Sequence, residues 1–547
     1  MSTCCRQALR RPRRWLGASL VVWALTSITY PFQHIEPGQK GESEPPYFNE
    51  KARQMLIEGS YSIIPTKPLG IGAERQLLMD NYVISDSWGC RRTVHQPEKY
   101  PDNPIMAGER GVLGPGCQGT ILFDPDTRCL RRWNLLWFFR RSEYDLGQVL
   151  GYYESEDGIR WVAPKLGLIE FDGNRENNLI LGEKGLSYGP PSVIFAPKRV
   201  AARGKFIMLY SLGRQKPLPG QTHGLEQRVA WSQDGIHWKD QPENPAIRGR
   251  SDTFNQLVYN PDRDVFMMYR FASVNSNQVR IQAYSESKDL VSWTQPEVII
   301  YPDELDSPMF HGLTVTKYQG VYLGLLDMFY QWMLPPFDDL DIPKPKPLQM
   351  DLQLAWSRDG REWHRHPERP IFLPNGMAGT YDAGVIMPYA GLIERGDKIY
   401  IYYRGDPVVP RIQLLKQTTS ASLCLATLRR DGFISLDAPS TGYMLTKPLL
   451  CSGGKLHVNA RVKPGGFVRV AVRRGDGEKD GDWLTGWNYD QGPEFVNDST
   501  DAVLNWKAQP DFDELKGRPI RLHFWLRQAE LYSFWFDGSK KPAGGDR

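Results

Sequence analysis

Two aspartates stand just ahead of strand-like runs: Asp252, in Arg250-Ser-Asp252-Thr-Phe-Asn255, and Asp382, in Tyr381-Asp382-Ala-Gly384. Two carboxyl groups flanking one bond, one protonated and one ionised, can cleave it by acid–base catalysis. Asp252 and Asp382 are therefore the expected catalytic pair. Comparable positions carry Gln118, the Pro190-Pro191 pair and His311. Gln118, Asn255, His311, Tyr381, Arg250 and Arg404 are the expected substrate-binding residues. The arginines can hold substrate hydroxyls or carboxylates, or pair with the acids and lower their pKa. The competing reading makes the acids strand-end caps or partners across an axis, since buried polar groups must be satisfied. Other acids (Asp80, Glu143, Asp145, Glu304 and Asp306) read as solvated loop charges that could complete a site from loops, and Glu394 reads as part of a hairpin turn.

Residues so far apart in sequence converge only if the chain repeats one unit around an axis, and a repeat is present. Its copies are Tyr153-Glu-Ser-Glu-Asp157-Gly-Ile-Arg-Trp161, Ala230-Trp-Ser-Gln-Asp234-Gly-Ile-His-Trp238, Tyr284-Ser-Glu-Ser-Lys-Asp289-Leu-Val-Ser-Trp293 and Ala355-Trp-Ser-Arg-Asp359-Gly-Arg-Glu-Trp363. A degraded fifth copy ends in Asp431-Gly-Phe433. The aspartates recur every 55–77 residues, roughly the length of a four-stranded blade with long loops. Asp caps its own turn, Gly accepts positive φ, and Trp restarts a strand while filling the wedge between blades.

A strand hairpin precedes each turn: Gly119–Asp124 with Trp133–Phe138, Ser192–Ala196 with Phe206–Tyr210, and Asn255–Tyr259 with Phe266–Arg270. The last two are Gly312–Thr316 with Val321–Leu326, and Gly384–Met387 with Lys398–Tyr403. These runs are rich in β-branched and aromatic residues. Hairpin plus turn, five times over, predicts an all-β fold: a five-bladed β-propeller over 75–435.

After Leu436 the texture changes to clean apolar–polar alternation, as in Phe467-Val-Arg-Val-Ala-Val and Ile520-Arg-Leu-His-Phe-Trp-Leu. One wet face per strand predicts a C-terminal β-sandwich over 436–540. Residues 36–74 read as a Pro-, Gly- and Glu-rich linker or arm. Residues 1–35 hold five arginines, Arg6 to Arg14, ahead of an uncharged run from Trp15 to Tyr30. That order predicts a signal peptide or signal anchor, hence export and N-terminal membrane anchoring if it is retained.

The formal charge of +4 comes from that leader: without its five arginines, 62 basic side chains face 63 acidic ones. A near-neutral body argues against a nucleic-acid partner. The seven cysteines include no Cys-x-x-Cys pair, which argues against zinc and leaves room for one or two disulfides after export.

A propeller with Asp-Gly-x-x-Trp turns followed by a β-sandwich resembles the glycoside hydrolases of families 32 and 43 and their relatives. The resemblance implies cleavage or transfer at a glycosidic bond, with acids around a central funnel; with the N-terminal segment, the expected protein is an exported enzyme acting on a plant or algal type of poly- or oligosaccharide. Of the family's three acidic motifs, the middle Arg-Asp-Pro has a partial match in Arg250-Ser-Asp252. The first blade offers Gln118 in place of an acid, and the fourth offers Phe310-His311-Gly312 without a glutamate. A non-catalytic glycan-binding propeller and a glycoside phosphorylase are the alternatives. No cofactor is expected, although the resemblance would also let His311 help hold an axial calcium ion. The expected partner is carbohydrate, and the expected state is a monomer.

Overall fold

The computed structural model describes residues 67–538 except 109–111, 114–117, 139–147, 172, 215–225, 248–253, 275–278, 308, 331–348, 409–420, 477–481 and 510. The basic leader and its apolar run lie outside these residues. Among the described residues no helix is long and apolar enough to cross a membrane.

Five blades are present. Their inner strands are Gly119–Asp124, Ser192–Phe195, Gln256–Asn260, Phe310–Tyr318 and Val385–Arg395. Each pairs antiparallel with a second strand: Cys129–Phe138, Phe206–Arg214, Val265–Val274, Val321–Tyr330 and Lys398–Asp406. Third strands follow at Gln148–Ser155, Glu226–Ser232, Val279–Ser287, Gln349–Ser357 and Ser422–Arg429. The outer strand of blade five is not taken from the end of the propeller. It is Glu98–Lys99, which pairs with Thr427 and Ala426 and so ties the start of the ring to its last blade. Blades five and one also meet at the axis, where Ala390 and Thr120 are parallel partners.

Polar side chains stitch the inner strands to one another. Thr120 Oγ1 donates to the Pro191 carbonyl (3.1 Å) and accepts from the Val193 N–H (3.0 Å). Ser192 Oγ accepts from the Leu257 N–H (2.9 Å), and the Gln256 amide exchanges two hydrogen bonds with the Val315 backbone. Buried amides near the axis are thereby satisfied without one continuous sheet.

The Asp-Gly turns perform the expected scaffold task. In the first copy Asp157 Oδ1 accepts from the Ile159 and Arg160 N–H groups (both 2.8 Å), and Ser155 Oγ accepts from the Gly158 N–H (2.8 Å). The copies at Asp234, Asp289 and Asp359 repeat this arrangement. Position 290 takes the glycine's place with a leucine at φ 66°. The turn glycines also weld neighbouring blades. Trp133 Nε1 of blade one donates to the Gly235 carbonyl of blade two (2.6 Å), Tyr269 Oη of blade three to Gly360 of blade four (2.8 Å), and Tyr402 Oη of blade five to Gly158 of blade one (2.8 Å). Trp161 and Trp363 pack edge-on against Tyr402 and Tyr269 at the same seams.

The degraded fifth copy does something different. Asp431 accepts from Arg75 Nε (2.9 Å), Tyr318 Oη (2.6 Å) and Ser533 Oγ (2.6 Å), joining the propeller to the C-terminal domain. That domain is a β-sandwich built on long strands, Ile434–Thr446, Leu456–Arg474 and Pro519–Phe536. They are interrupted by bulges between Ala438 and Thr441 and between Val462 and Phe467, and they enclose one apolar core that includes Trp487, Phe524, Phe534 and Phe536. Short strands at Leu69–Gly70, Gln76–Leu77, Ile84–Trp88 and Arg91–Val94 also pair into this sheet. The expected propeller start at residue 75 therefore falls inside the sandwich. Alternation alone does not say which sheet a strand will join, because the period is the same in both.

Cys90, Cys129, Cys424 and Cys451 are unpaired thiols. The disulfides allowed by the sequence are not formed among them, and Cys117 lies outside the described residues.

Candidate functional site

Inner strands begin, and second strands end, at the same face of the propeller. Gln118, immediately before the inner strand of blade one, donates from Nε2 to Asp327 Oδ2 at 3.4 Å. Asp327 lies near the end of the second strand of blade four. Blade five stands between these two blades in the ring, so the contact spans the axial mouth. His311, at the start of blade four's inner strand, places Nδ1 3.5 Å from the same oxygen and its ring edge-on to Phe329. Gly312 is the cross-strand partner of Asp327. A Cβ there would lie 3.1 Å from Asp327 Oδ2, so the glycine leaves the carboxyl its space.

Asp327 is completely buried, and Oδ1 has no hydrogen-bond partner among the described residues. Both contacts to Oδ2 are at the long limit for hydrogen bonds. Burial therefore dominates and lifts its pKa well above the usual carboxyl range, with only the Gln118 bond opposing. His311 moves the other way. Burial, then the positive charges of Arg280 and Arg404, push its pKa down to about 3. Burial thus favours the protonated, uncharged form of Asp327, beside an imidazole that is neutral at pH 7. Arg404, buried on the second strand of blade five, places Nε 2.5 Å from Asp406 Oδ2, two residues on and on the same strand face. On blade four's third strand, Asp351 is also buried and accepts from Tyr330 Oη (3.2 Å).

The structure brings three of the expected residues, Gln118, His311 and Arg404, to one charge cluster. Asn255 is buried near the same face and donates to Ser211 Oγ (3.4 Å). Tyr381 packs against the apolar core shared by blades four and five. Asp252 and Arg250 lie outside the described residues.

Asp382 has a different environment from the one expected. Its side chain is 1% exposed, with Lys99 Nζ 2.6 Å and Tyr403 Oη 3.0 Å from Oδ2. Lys99 belongs to the N-terminal strand that closes blade five, so this carboxylate fastens the ring. Its expected partner Asp252 lies outside the described residues, and the carboxyl that meets Gln118 and His311 is Asp327. Of the other loop acids, Asp80 pairs with Arg358 (2.9 Å), Asp306 with Arg365 (2.6 Å) and Glu394 with Arg75 (2.6 Å). Glu143 and Asp145 are outside the described residues. Asp327 and Asp406 lie on second strands, which the pattern of inner-strand entries does not single out. The available signal was an acid inside an apolar strand, as in Leu325-Leu-Asp327-Met-Phe329, since such an acid is seldom buried without a task.

The chain is thus an all-β protein, a five-bladed propeller with a C-terminal β-sandwich. No family model matches it and no curated protein matches it. Solved structures are similar at low identity. An N-acetylgalactosamine deacetylase from F. plautii in complex with blood group B trisaccharide is 15% identical, covering 63% of this chain and 97% of its own, with a TM-score of 0.41. A family 32 β-fructofuranosidase of Bombyx mori is 11% identical, covering 81% and 94%, with a TM-score of 0.40. A fructofuranosidase of Schwanniomyces occidentalis complexed with fructose is 11% identical, covering 80% and 97%, with a TM-score of 0.40. Likenesses of this size assign the chain no activity.

Proposed function

We propose that this chain is a glycan-acting enzyme that cleaves or transfers at a glycosidic bond over the axial mouth of the propeller, with Asp327 as proton donor. The carrying observation is Asp327 itself: a fully buried carboxyl at the mouth, pushed toward its protonated form by burial, with one oxygen unpartnered among the described residues. A neutral acid is what protonation of a leaving-group oxygen requires. His311, also neutral, orients that carboxyl or a sugar hydroxyl. The second carboxyl is Asp406, beside Arg404, or Asp252. The N-terminal order of arginines and apolar residues supports export, with the propeller outside the cytoplasm.

The test is sugar release across a broad panel of poly- and oligosaccharides, with and without inorganic phosphate. Asp327→Asn should abolish release while circular dichroism and the unfolding midpoint stay close to wild type. Undiminished release by this variant, or binding without turnover by the wild type, would sink the proposal. Separate Asp406→Asn and Asp252→Asn variants then identify the second carboxyl.

A further inference from the structure

The seam between blades two and three carries an uncompensated cation at its mouth end. The apolar part of the seam sets Ile207, Leu209 and Val229 of blade two against Leu257, Phe266 and Met268 of blade three. Strand side chains alternate faces with a period of two. The residues two further toward the mouth therefore face the same seam: Ser211 and Gln227 from blade two, Asn255 and Arg270 from blade three. Gln256 pairs with Tyr269, which sets Arg270 level with Asn255, where the inner strand begins. Asp327 stands at the corresponding end of blade four, opposite Gly312.

Three of these four side chains are neutral, buried and joined to one another. Gln227 Nε2 donates to Ser211 Oγ (2.9 Å), and Asn255 Nδ2 donates to the same oxygen (3.4 Å). Arg270 is half-buried, and its Nε, out of reach of solvent, has no hydrogen-bond partner among the described residues. Burial alone moves its pKa, downward, and no acid opposes the shift. Arg228 and Arg263 of the same two blades each hold a carboxylate, Asp240 at 2.7 Å and Glu286 at 2.6 Å. At the mouth, Asp327 is pushed toward its uncharged form and Asp406 is held by Arg404, so neither supplies the missing charge. A guanidinium stripped of water without a counter-ion is costly, and that cost is recovered when an anion accepts from its N–H groups. The planar fork suits the paired oxygens of a carboxylate or a sulfate.

We propose that Arg270 is a specificity-determining residue of the mouth, and that the substrate is a glycan bearing an anionic substituent, carboxylate or sulfate ester, on the sugar that meets blades two and three. The proposal rests on the reading of the mouth as the reacting site. A neutral sugar leaves the guanidinium without its counter-charge, so discrimination comes from the unpaired state as much as from the pair. Arg270 binds and does not react, since the proposed proton donor stands on another blade.

Affinity electrophoresis of the full chain tests this, through gels containing polygalacturonate, alginate or κ-carrageenan, each run beside its carboxyl-reduced or desulfated form. Wild type should be retarded more by at least one acidic polymer than by its neutral form, and the polymer that does so tells carboxylate from sulfate. Arg270→Gln should weaken retardation by that polymer about tenfold or more, the loss of one charge-assisted pair, and leave retardation by the neutral form unchanged. The unfolding midpoint of Arg270→Gln should equal or exceed that of wild type, because no internal pair is broken. Asp327→Asn should keep the acidic preference even where sugar release is lost, so failure of the proton-donor reading and failure of this one are read separately. Equal retardation by the acidic and neutral forms of all three polymers, an undiminished preference in Arg270→Gln, or a marked drop in its midpoint would overturn the proposal. So would a phosphate requirement for sugar release whose half-saturating concentration rises in Arg270→Gln, since the anion would then be inorganic phosphate.

Discussion

Lys99 Nζ lies 2.6 Å from the carboxylate of Asp382, joining the first strand of the propeller to the loop that opens its last blade. The acid is almost fully buried and the lysine side chain is 24% exposed, so the pair is desolvated on one side and wetted on the other. Asp382→Asn or Lys99→Met leaves the other partner without its counter-charge. Loss of about 2–3 kcal/mol is expected, below the full value for a deeply buried pair. Chemical denaturation checks this, with turnover measured at a permissive temperature. Normal stability together with abolished turnover in Asp382→Asn would restore a catalytic role to that residue.

Asp327 gives a pH dependence of definite sign. Its folded pKa is raised, so the folded state binds this proton more tightly than the unfolded chain does, where a carboxyl titrates near about 3.9. The associated stability is fully present below that value and is lost as pH rises through the folded pKa. Asp327→Asn cannot ionise and should flatten this fall, so its stability relative to wild type should improve as pH rises. Turnover that needs the protonated acid should decline on the same alkaline side. Denaturation midpoints at stepped pH, paired with a pH–rate profile, test both.

His311 acts in the opposite window. With the folded pKa near 3 and the ordinary value at 6.5, its contribution is complete above 6.5 and is lost as pH falls toward 3. His311→Gln keeps a neutral polar group and should lessen the acid loss of stability over that range. Denaturation at pH 7, 5 and 4 measures the difference, and parallel curves for the two proteins would refute it.

The blade welds should each be worth a hydrogen bond. Tyr402→Phe and Tyr269→Phe remove the hydroxyls that donate to the Gly158 and Gly360 carbonyls. Tyr402→Phe should cost about 1–2 kcal/mol, because a buried carbonyl loses its hydroxyl partner while the ring packing survives, and Tyr269→Phe should cost about 0.5–1 kcal/mol, because the Gly360 carbonyl keeps Trp363 Nε1 at 3.3 Å. The two seams share no partner, so the double variant should be additive within about 0.5 kcal/mol. Marked non-additivity would show that the ring transmits strain between seams.

The junction at Asp431 predicts coupled domains. Asp431→Ala removes the shared acceptor of Arg75, Tyr318 and Ser533 and leaves a buried hole between propeller and sandwich. A drop of about 3 kcal/mol is expected, with propeller and sandwich unfolding in separate steps. Calorimetry would show two transitions where the wild type has one, and a single unshifted transition would contradict the coupling.

Short-range chemistry made much of this protein legible from its residues. A Ser-x-Asp-Gly turn closes on hydrogen bonds within a few residues, and a hairpin's period of two declares itself in any strand, so blade count and blade composition follow from sequence. The same locality made Gln118, His311 and Arg404 visible near the ends of strands. Ring closure was not visible, because Glu98–Lys99 pairs with a strand more than three hundred residues away and has no periodicity of its own. Nor was the division of labour between acids. Asp382 and Asp327 are both buried aspartates in apolar surroundings, and only the folded chain places a lysine against one and leaves the other to burial, Gln118 and His311. Sequence determined which strands and turns exist. Tertiary structure decided which carboxyl is paired with a cation and which is pushed toward protonation by desolvation, because that depends on distances across the axis that no local pattern encodes.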